Sequence, residues 1–528
     1  METTPLLQSS KNTTYLPTSI NNNNNSNNNC SGGGHHPQAN CCKIKNKDQS
    51  TPSVAEDDEC YLADLKWEYK AVALACALFI AVGSHFAAHT LGAMKNTIKE
   101  EFHISNSQYG MIQSSVAIVN TVLPVIGGVF IDAFGTISGS ILTTFLITSG
   151  NVLIALSTST VNIKMMVMGR ILYGIGSGTV VIVQETILSQ WFRGRSLAAV
   201  IALMLTVSRL ASFLAQAIVV PIANWTGWYG YGFWFSALLC IFSFVVNLVY
   251  IALLKKVSNP SAVACKKQAE VIKRKKSFSW KKLLFLPHSF WLIAAMEFLL
   301  GGGWGCFLHI NSEFVKLKFG YSNTNAAATA STAQILPVIL MPFLGMCVDR
   351  YGKRTWMMIG SGLSMLLSIL ILGYTNIIPI VGMLIFSISL SLGPVGLVSS
   401  VPVILPLSLI GTGMGLIKSG TNIGSALFDI SVGLLQDYDE NKGYSGVIQF
   451  FVVISSLAII CGITLSYLDH KIYKNTLDMS ARKAYRSNEN KLSNAITLKQ
   501  NNTNWIYGTI YVLLAISSWI LFFRFVIM

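Results

Sequence analysis

Charge is what this sequence lacks most. Asp, Glu, Lys and Arg make up only 12% of its 528 residues, while 52% are apolar, and the mean hydropathy is +0.53. A water-soluble fold is thereby excluded: so little polar surface cannot cover so much hydrocarbon, and lipid must cover the rest. The ten cysteines include no Cys-x-x-Cys pair and no His-rich spacing. Cys76, Cys240 and Cys461 fall inside apolar segments and read as packing residues, which leaves neither a disulfide framework nor a metal site. No nucleophile or phosphate-loop constellation marks an enzyme, and no cofactor is implied. No apolar run precedes Leu65, so no cleaved signal peptide is expected and the first membrane helix directs insertion. The formal charge of +15 would suggest nucleic acid in a soluble protein. Here the bases gather in loops on one side of the apolar segments, which is the signature of orientation in a bilayer.

What is present is a series of spans. Apolar stretches of roughly 20 residues, enough to cross a bilayer, fall near 70–93, 108–131, 137–157, 163–191, 196–221 and 233–254. Six more fall near 289–311, 326–348, 355–374, 378–402, 408–436 and 446–468. The pattern predicts an all-α polytopic membrane protein of two six-helix bundles, 66–254 and 289–468, joined by a basic linker at 255–288. By the positive-inside rule that linker is cytosolic, together with the N-terminus, Arg193 and Arg195, the bases at 350–354 and the basic segment 469–504. The opposite loops carry few bases, such as Lys95 and Lys99 beside Glu100 and Glu101. Residues 1–65, Asn-rich with scattered Ser, Thr and Pro, are predicted to be a disordered cytosolic tail. A last apolar stretch at 505–528 is long enough to be a thirteenth helix; the alternative is a segment lying on the membrane.

One phrase occurs twice. Gly128, Asp132 and Gly135 recur at a constant offset as Gly345, Asp349 and Gly352, each set ending one apolar segment just before the next begins. A Gly-x-x-x-Asp-x-x-Gly turn repeated at half the core length predicts a duplicated transporter. The glycines allow close helix approach, and the Asp can meet a neighbouring helix N-terminus or an Arg, holding one conformation and releasing another. The second copy keeps Arg350, Lys353 and Arg354; the first has Ala133 and no basic pair. The second is therefore expected to be the stronger gating latch, with Asp349 and Arg350 ahead of Asp132.

Ionisable residues inside spans are costly and so default to function. Arg170, followed by Gly174 and Gly176, is a gating candidate or a side chain snorkelling to the interface. Arg209, near mid-span, is the best candidate for an anionic group. Glu297 and Lys418 either bind the two ends of a zwitterion or bridge each other. Glu185 lies about 10 Å from its segment's centre and suits a gate. His85 and His89, one turn apart, are proton-sensitive groups or polar packing; His309 and Asp429 complete the set.

The turn copies and the Arg170-x-x-x-Gly174-x-Gly176 pattern resemble the major facilitator superfamily. Residues 169–213, through Arg170, Gly174 to Gly176, Gln184, Trp191, Phe192, Gly194 and Arg209, are similar to its lysosomal dipeptide transporter family, as are residues 406–437 through Gly411, Thr412, Ser419, Asn422 and Gly424. The resemblance implies dipeptide export by uniport, with Arg209 taking the peptide carboxylate; Glu297, Lys418 and Asn422 are the other candidates for substrate binding. The family has an acid where this chain has Gly178; either Glu185 or Glu297 substitutes for it, or the substrate differs. Glu2, Leu6 and Leu7 match an acidic dileucine sorting signal for endolysosomal membranes. Cys41 and Cys42, ahead of Lys43, permit palmitoylation. The sequon at Asn224 lies too near a span to be used, which leaves room for the glycosylated accessory subunit of the family. The rival readings are a proton-coupled organic-anion carrier and a non-transporting nutrient receptor or scaffold.

Overall fold

In hydrocarbon every backbone N–H and C=O must be bonded within its own segment, so the apolar spans have to be helical. The computed structural model describes residue 62 and residues 65–192, 195–257, 286–405, 407–439, 443–472, 475–480 and 504–527, with side chains at 124–135, 195–199, 407–412 and 525–527 outside that description. Glu2, Leu6, Leu7, Cys41, Cys42 and most of the basic linker lie outside the described residues. Among those described there is helix and no strand.

The first half comprises α1 (Trp67–Phe79), α2 (Val82–Ala93), the short α3 (Lys95–Phe102), α4 (Asn106–Val119), α5 (Leu123–Thr160), α6 (Ile163–Trp191), α7 (Arg195–Thr226) and α8 (Gly230–Val257). The second begins with α9 (His288–Met296), a π-helical turn (Glu297–Gly301) and α10 (Gly302–Phe319). It continues with α11 (Asn323–Ser331), a 3-10 turn, α12 (Ile335–Tyr351), α13 (Arg354–Tyr374), α14 (Pro379–Ile404), α15 (Leu407–Tyr438) and α16 (Ser445–Lys471). A further helix, α17 (Asn504–Ile527), follows. Eleven helices among the described residues are long and apolar enough to cross a membrane, and Asn504–Arg524 is one of them.

Each half has its own core. One is built around Tyr109, Trp191 and Tyr250, the other around Phe307, Phe386 and Phe451. Between the halves, α4 and α15 approach so closely that a Cβ on Gly110 would lie 2.4 Å from the Asp429 carbonyl oxygen, and one on Gly433 would lie 2.5 Å from that of Asn106. Any side chain at either position would push the seam apart.

The two copies of the repeated turn differ in backbone. The second breaks its helix as expected: Gly352 has φ +76° and Lys353 is left-handed with φ 55°. The first does not, because α5 stays helical through residues 128–135. The break falls earlier, between Val119 and Leu123, just ahead of Pro124. Proline lacks the N–H that a helix interior needs and is tolerated in the first turn, so it sets the start of α5.

Candidate functional site

We call the two extremities of the bundle the Lys95 end and the Lys353 end. Between them, the ionisable residues expected from the sequence face a shared interior. Arg170 is 3% exposed; its guanidinium donates to the Gln113 side-chain oxygen and to the carbonyls of Gln113 (3.5 Å) and Ile112 (3.4 Å) and lies over the Tyr173 ring. It is thus turned into its own half, bracing α6 against α4, rather than outward to an interface. Arg209 on α7 is half-buried and forms no hydrogen bond or ion pair among the described residues. Its charge acts on both His85 and His89. On those rings, His85 Nε2 and His89 Nδ1 are buried without a hydrogen-bond partner among the described residues.

Across the interior, Glu297 opens the π turn, a distortion frequent at functional positions because it frees backbone and re-aims a side chain. One of its oxygens accepts from Thr421 Oγ1 (3.1 Å) and the other is buried without a hydrogen-bond partner among the described residues. Lys418 is exposed to the interior and does not pair with Glu297, but its charge reaches Glu297, Glu185 and His85. Asn422 donates to the Lys418 carbonyl (2.8 Å) on its own helix. Glu185 is exposed. His309 Nδ1 and Asp429 Oδ1 lie 2.9 Å apart, and Asp429 Oδ2 has no partner. At Gly178 a Cβ would sit 2.1 Å from Asn120 Oδ1, so the Asn120 amide holds the space an acid there would need.

The most elaborate polar cluster went unread in the sequence. At the Lys95 end, Glu313 of the second half is clamped by Lys95 (2.7 Å) and Lys99 (2.8 Å) of the first, with Tyr444 Oη donating to it at 2.6 Å. Lys95 also donates to Gln436 Oε1 (2.7 Å). The Lys95 and Glu313 side chains are each 1% exposed. Burial pulls the Lys95 ammonium below the ordinary lysine range, and the Glu313 carboxylate pulls it back. Beside this clasp, Asp437 accepts from the backbone N–H groups of Asn106 (3.0 Å) and Ser107 (2.8 Å), so a carboxylate of one half caps a helix of the other. Tyr109 Oη donates across the same seam to the His309 carbonyl (3.1 Å). All described ion pairs between the halves lie at this end. One signal was available: Lys95, Ile98 and Phe102 form the buried stripe of α3, a lysine where a hydrophobe belongs. Glu313 escaped because α10 runs on to Phe319, past the expected end of its span.

At the Lys353 end, Asp349 and Arg350 are exposed. The buried base there is Arg354, which donates to the carbonyls of Leu477 (3.0 Å) and Met479 (2.9 Å). Thr355 binds the Asp478 carboxylate through its N–H (3.1 Å) and hydroxyl (2.7 Å). These bonds stay within the second half. Asp132 and its neighbours have side chains outside the described residues.

Two bundles, two cores, a duplicated turn and charges collected between the halves describe one architecture, and the family profile for the Major Facilitator Superfamily matches residues 74–429 and 293–528. The chain belongs to the major facilitator superfamily. It is 26% identical to the lysosomal dipeptide transporter MFSD1 of Mus musculus, over 79% of this chain and 90% of that one. To the Homo sapiens protein of the same name it is 26% identical over 78% and 89%. Among solved structures it is similar to a peptide transporter POT in complex with sulfate, with TM-score 0.60, 14% identity and coverage of 79% and 98%. A D-xylose-proton symporter gives 0.59, 14%, 76% and 97%. The structural likenesses establish the fold. As a superfamily member the chain is a multi-pass membrane transporter of small molecules, not an enzyme, and lipid is its solvent.

Proposed function

We propose that this transporter carries small zwitterions, dipeptides foremost, across an endolysosomal membrane by rocking its two halves about the central site. The observation that supports it best is two unsatisfied groups of opposite charge, one in each half: among the described residues Arg209 has no partner and Glu297 has one oxygen without a hydrogen bond. A charge left in a low-dielectric interior is costly unless a ligand completes it. A peptide carboxylate would go to Arg209 and the amine to Glu297, with Lys418 and Asn422 beside them. The printed name of the 26% identical relatives supports the substrate class. In this reading the Lys353 end, with Asp132, Asp349, Arg350 and Glu185, faces the cytosol and gates it, the N-terminus is cytosolic with Glu2, Leu6 and Leu7 directing sorting, and an accessory subunit supplies the missing glycans.

Uptake of labelled dipeptides into proteoliposomes, with and without a pH gradient, tests this. Transport without the gradient is expected, and Arg209→Gln should weaken uptake about 10- to 100-fold, the worth of a charge-assisted hydrogen bond. Undiminished uptake by that variant would sink the assignment. A proton-coupled carrier is the second reading, favoured by the His309–Asp429 pair, whose His309 charge acts on His89; it requires uptake to fail without the gradient.

A further inference from the structure

A cavity of about 520 Å³ lies where α17 meets α9, α15 and α16, walled in part by Phe298 and Ile423, the chain neighbours of Glu297 and Asn422. Its wall includes Trp291, Ala295, Phe298, Ile423, Leu468 and Ile510. No charged carboxylate, lysine or arginine lines it. Thr464 Oγ1 and Tyr511 Oη are already spent on the carbonyls of Ile460 (2.8 Å) and Leu416 (2.8 Å). The remaining polar feature is at one end, where His288 Nδ1 and Tyr507 Oη lie 3.2 Å apart and Tyr507 packs on Trp291.

The surroundings of the cavity identify what fills it. α17 is the outermost helix, with 11% of its apolar window buried, so its outer face and the open side of the cavity meet hydrocarbon. Water does not fill an apolar space of this kind, and leaving it empty forfeits the packing of every wall residue. Trp291, Phe298, Tyr507 and Tyr511 set aromatic rings among the aliphatic side chains of the wall, and the polar end offers one hydroxyl-sized partner and no lysine or arginine for a phosphate. On α16, Leu465, Tyr467 and Lys471 have the Leu-x-Tyr-x-x-x-Lys spacing put forward for sterol contact; Leu465 is turned into the core, while the exposed Lys471 donates to Tyr467 Oη (3.1 Å) next in the chain to the cavity's Leu468. We propose that this cavity is a sterol-binding site, with the ring system against Trp291 and Phe298 and the hydroxyl at the His288–Tyr507 pair.

The test is photolabelling of the full-length protein in membranes with a photoreactive, alkyne-tagged sterol. Label is expected on peptides spanning 288–298 or 504–514, suppressed by excess unlabelled sterol and not by phosphatidylcholine. Ala295→Trp fills the cavity and should abolish the label, with Ile510→Trp as a second filling variant should the first fail to fold. Tyr507→Phe should reduce labelling without changing the cavity's shape. Leu363→Trp, on an exposed face of α13, should label as the parent does. Thermal melting of each variant reports folding. Label that maps elsewhere, that persists in a folded cavity-filling variant, or that phosphatidylcholine displaces as well as sterol overturns the proposal.

Discussion

The two ends of the bundle are tied by different kinds of bond. At the Lys95 end, the buried Glu313 with its two lysines, the Asp437 cap and the Tyr109 bond all cross from one half to the other. At the Lys353 end, Arg354, Thr355 and the Lys353 N–H are fastened to residues 477–479, inside one half. Bonds within a half survive rigid-body rocking, whereas bonds between halves must break for it to proceed. The difference teaches that the repeated turn stiffens a moving part, while the clasp sets the cost of opening. It also relocates an expected device: an Asp of one half does meet a helix N-terminus of the other, but it is Asp437 at the end opposite the repeated turns.

The comparison can be broken most directly at the clasp. Glu313→Gln leaves Lys95 buried without its counter-charge and should destabilise the clasped state by about 3–5 kcal/mol, read as a lowered melting temperature and as alkylation of a cysteine placed at Asn224. Unchanged melting and labelling would mean that the clasp holds nothing. Next comes Gly352→Ala, whose Cβ would lie 2.3 Å from the Asp478 carbonyl oxygen at φ +76°. A loss of about 1–3 kcal/mol is expected from that strained backbone. Gly135→Ala sits on helical backbone and should instead gain about 0.5–1 kcal/mol; equal effects in denaturation would show that the two copies do not differ. The smallest effect belongs to Asp349→Asn, within about 0.5 kcal/mol in stability because the carboxylate is exposed. In transport assays it should still exceed Asp132→Asn, since the Asp349 charge acts on the buried Arg354.

Much of this was legible beforehand. Hydropathy sufficed for the helices, and the spacing of Gly345, Asp349 and Gly352 located a real break. The scarcity of intramembrane charge picked out Arg170, Arg209, Glu297 and Lys418. Glu313 was invisible because its span seemed to end at residue 311, and Lys95 and Lys99 looked like ordinary loop bases beside Glu100 and Glu101. The helical first copy was hidden in the shared glycine spacing, where Gly135, which continues a helix, and Gly352, which ends one, hold the same place.

The sequence by itself determined the solvent, the helices and the family, because hydrocarbon forces backbone bonding within each segment and a duplicated motif keeps its spacing. Tertiary structure alone decided which charges meet. Glu313 and Lys95 stand more than two hundred positions apart, and only the docking of one half on the other buries them together and makes their pairing obligatory.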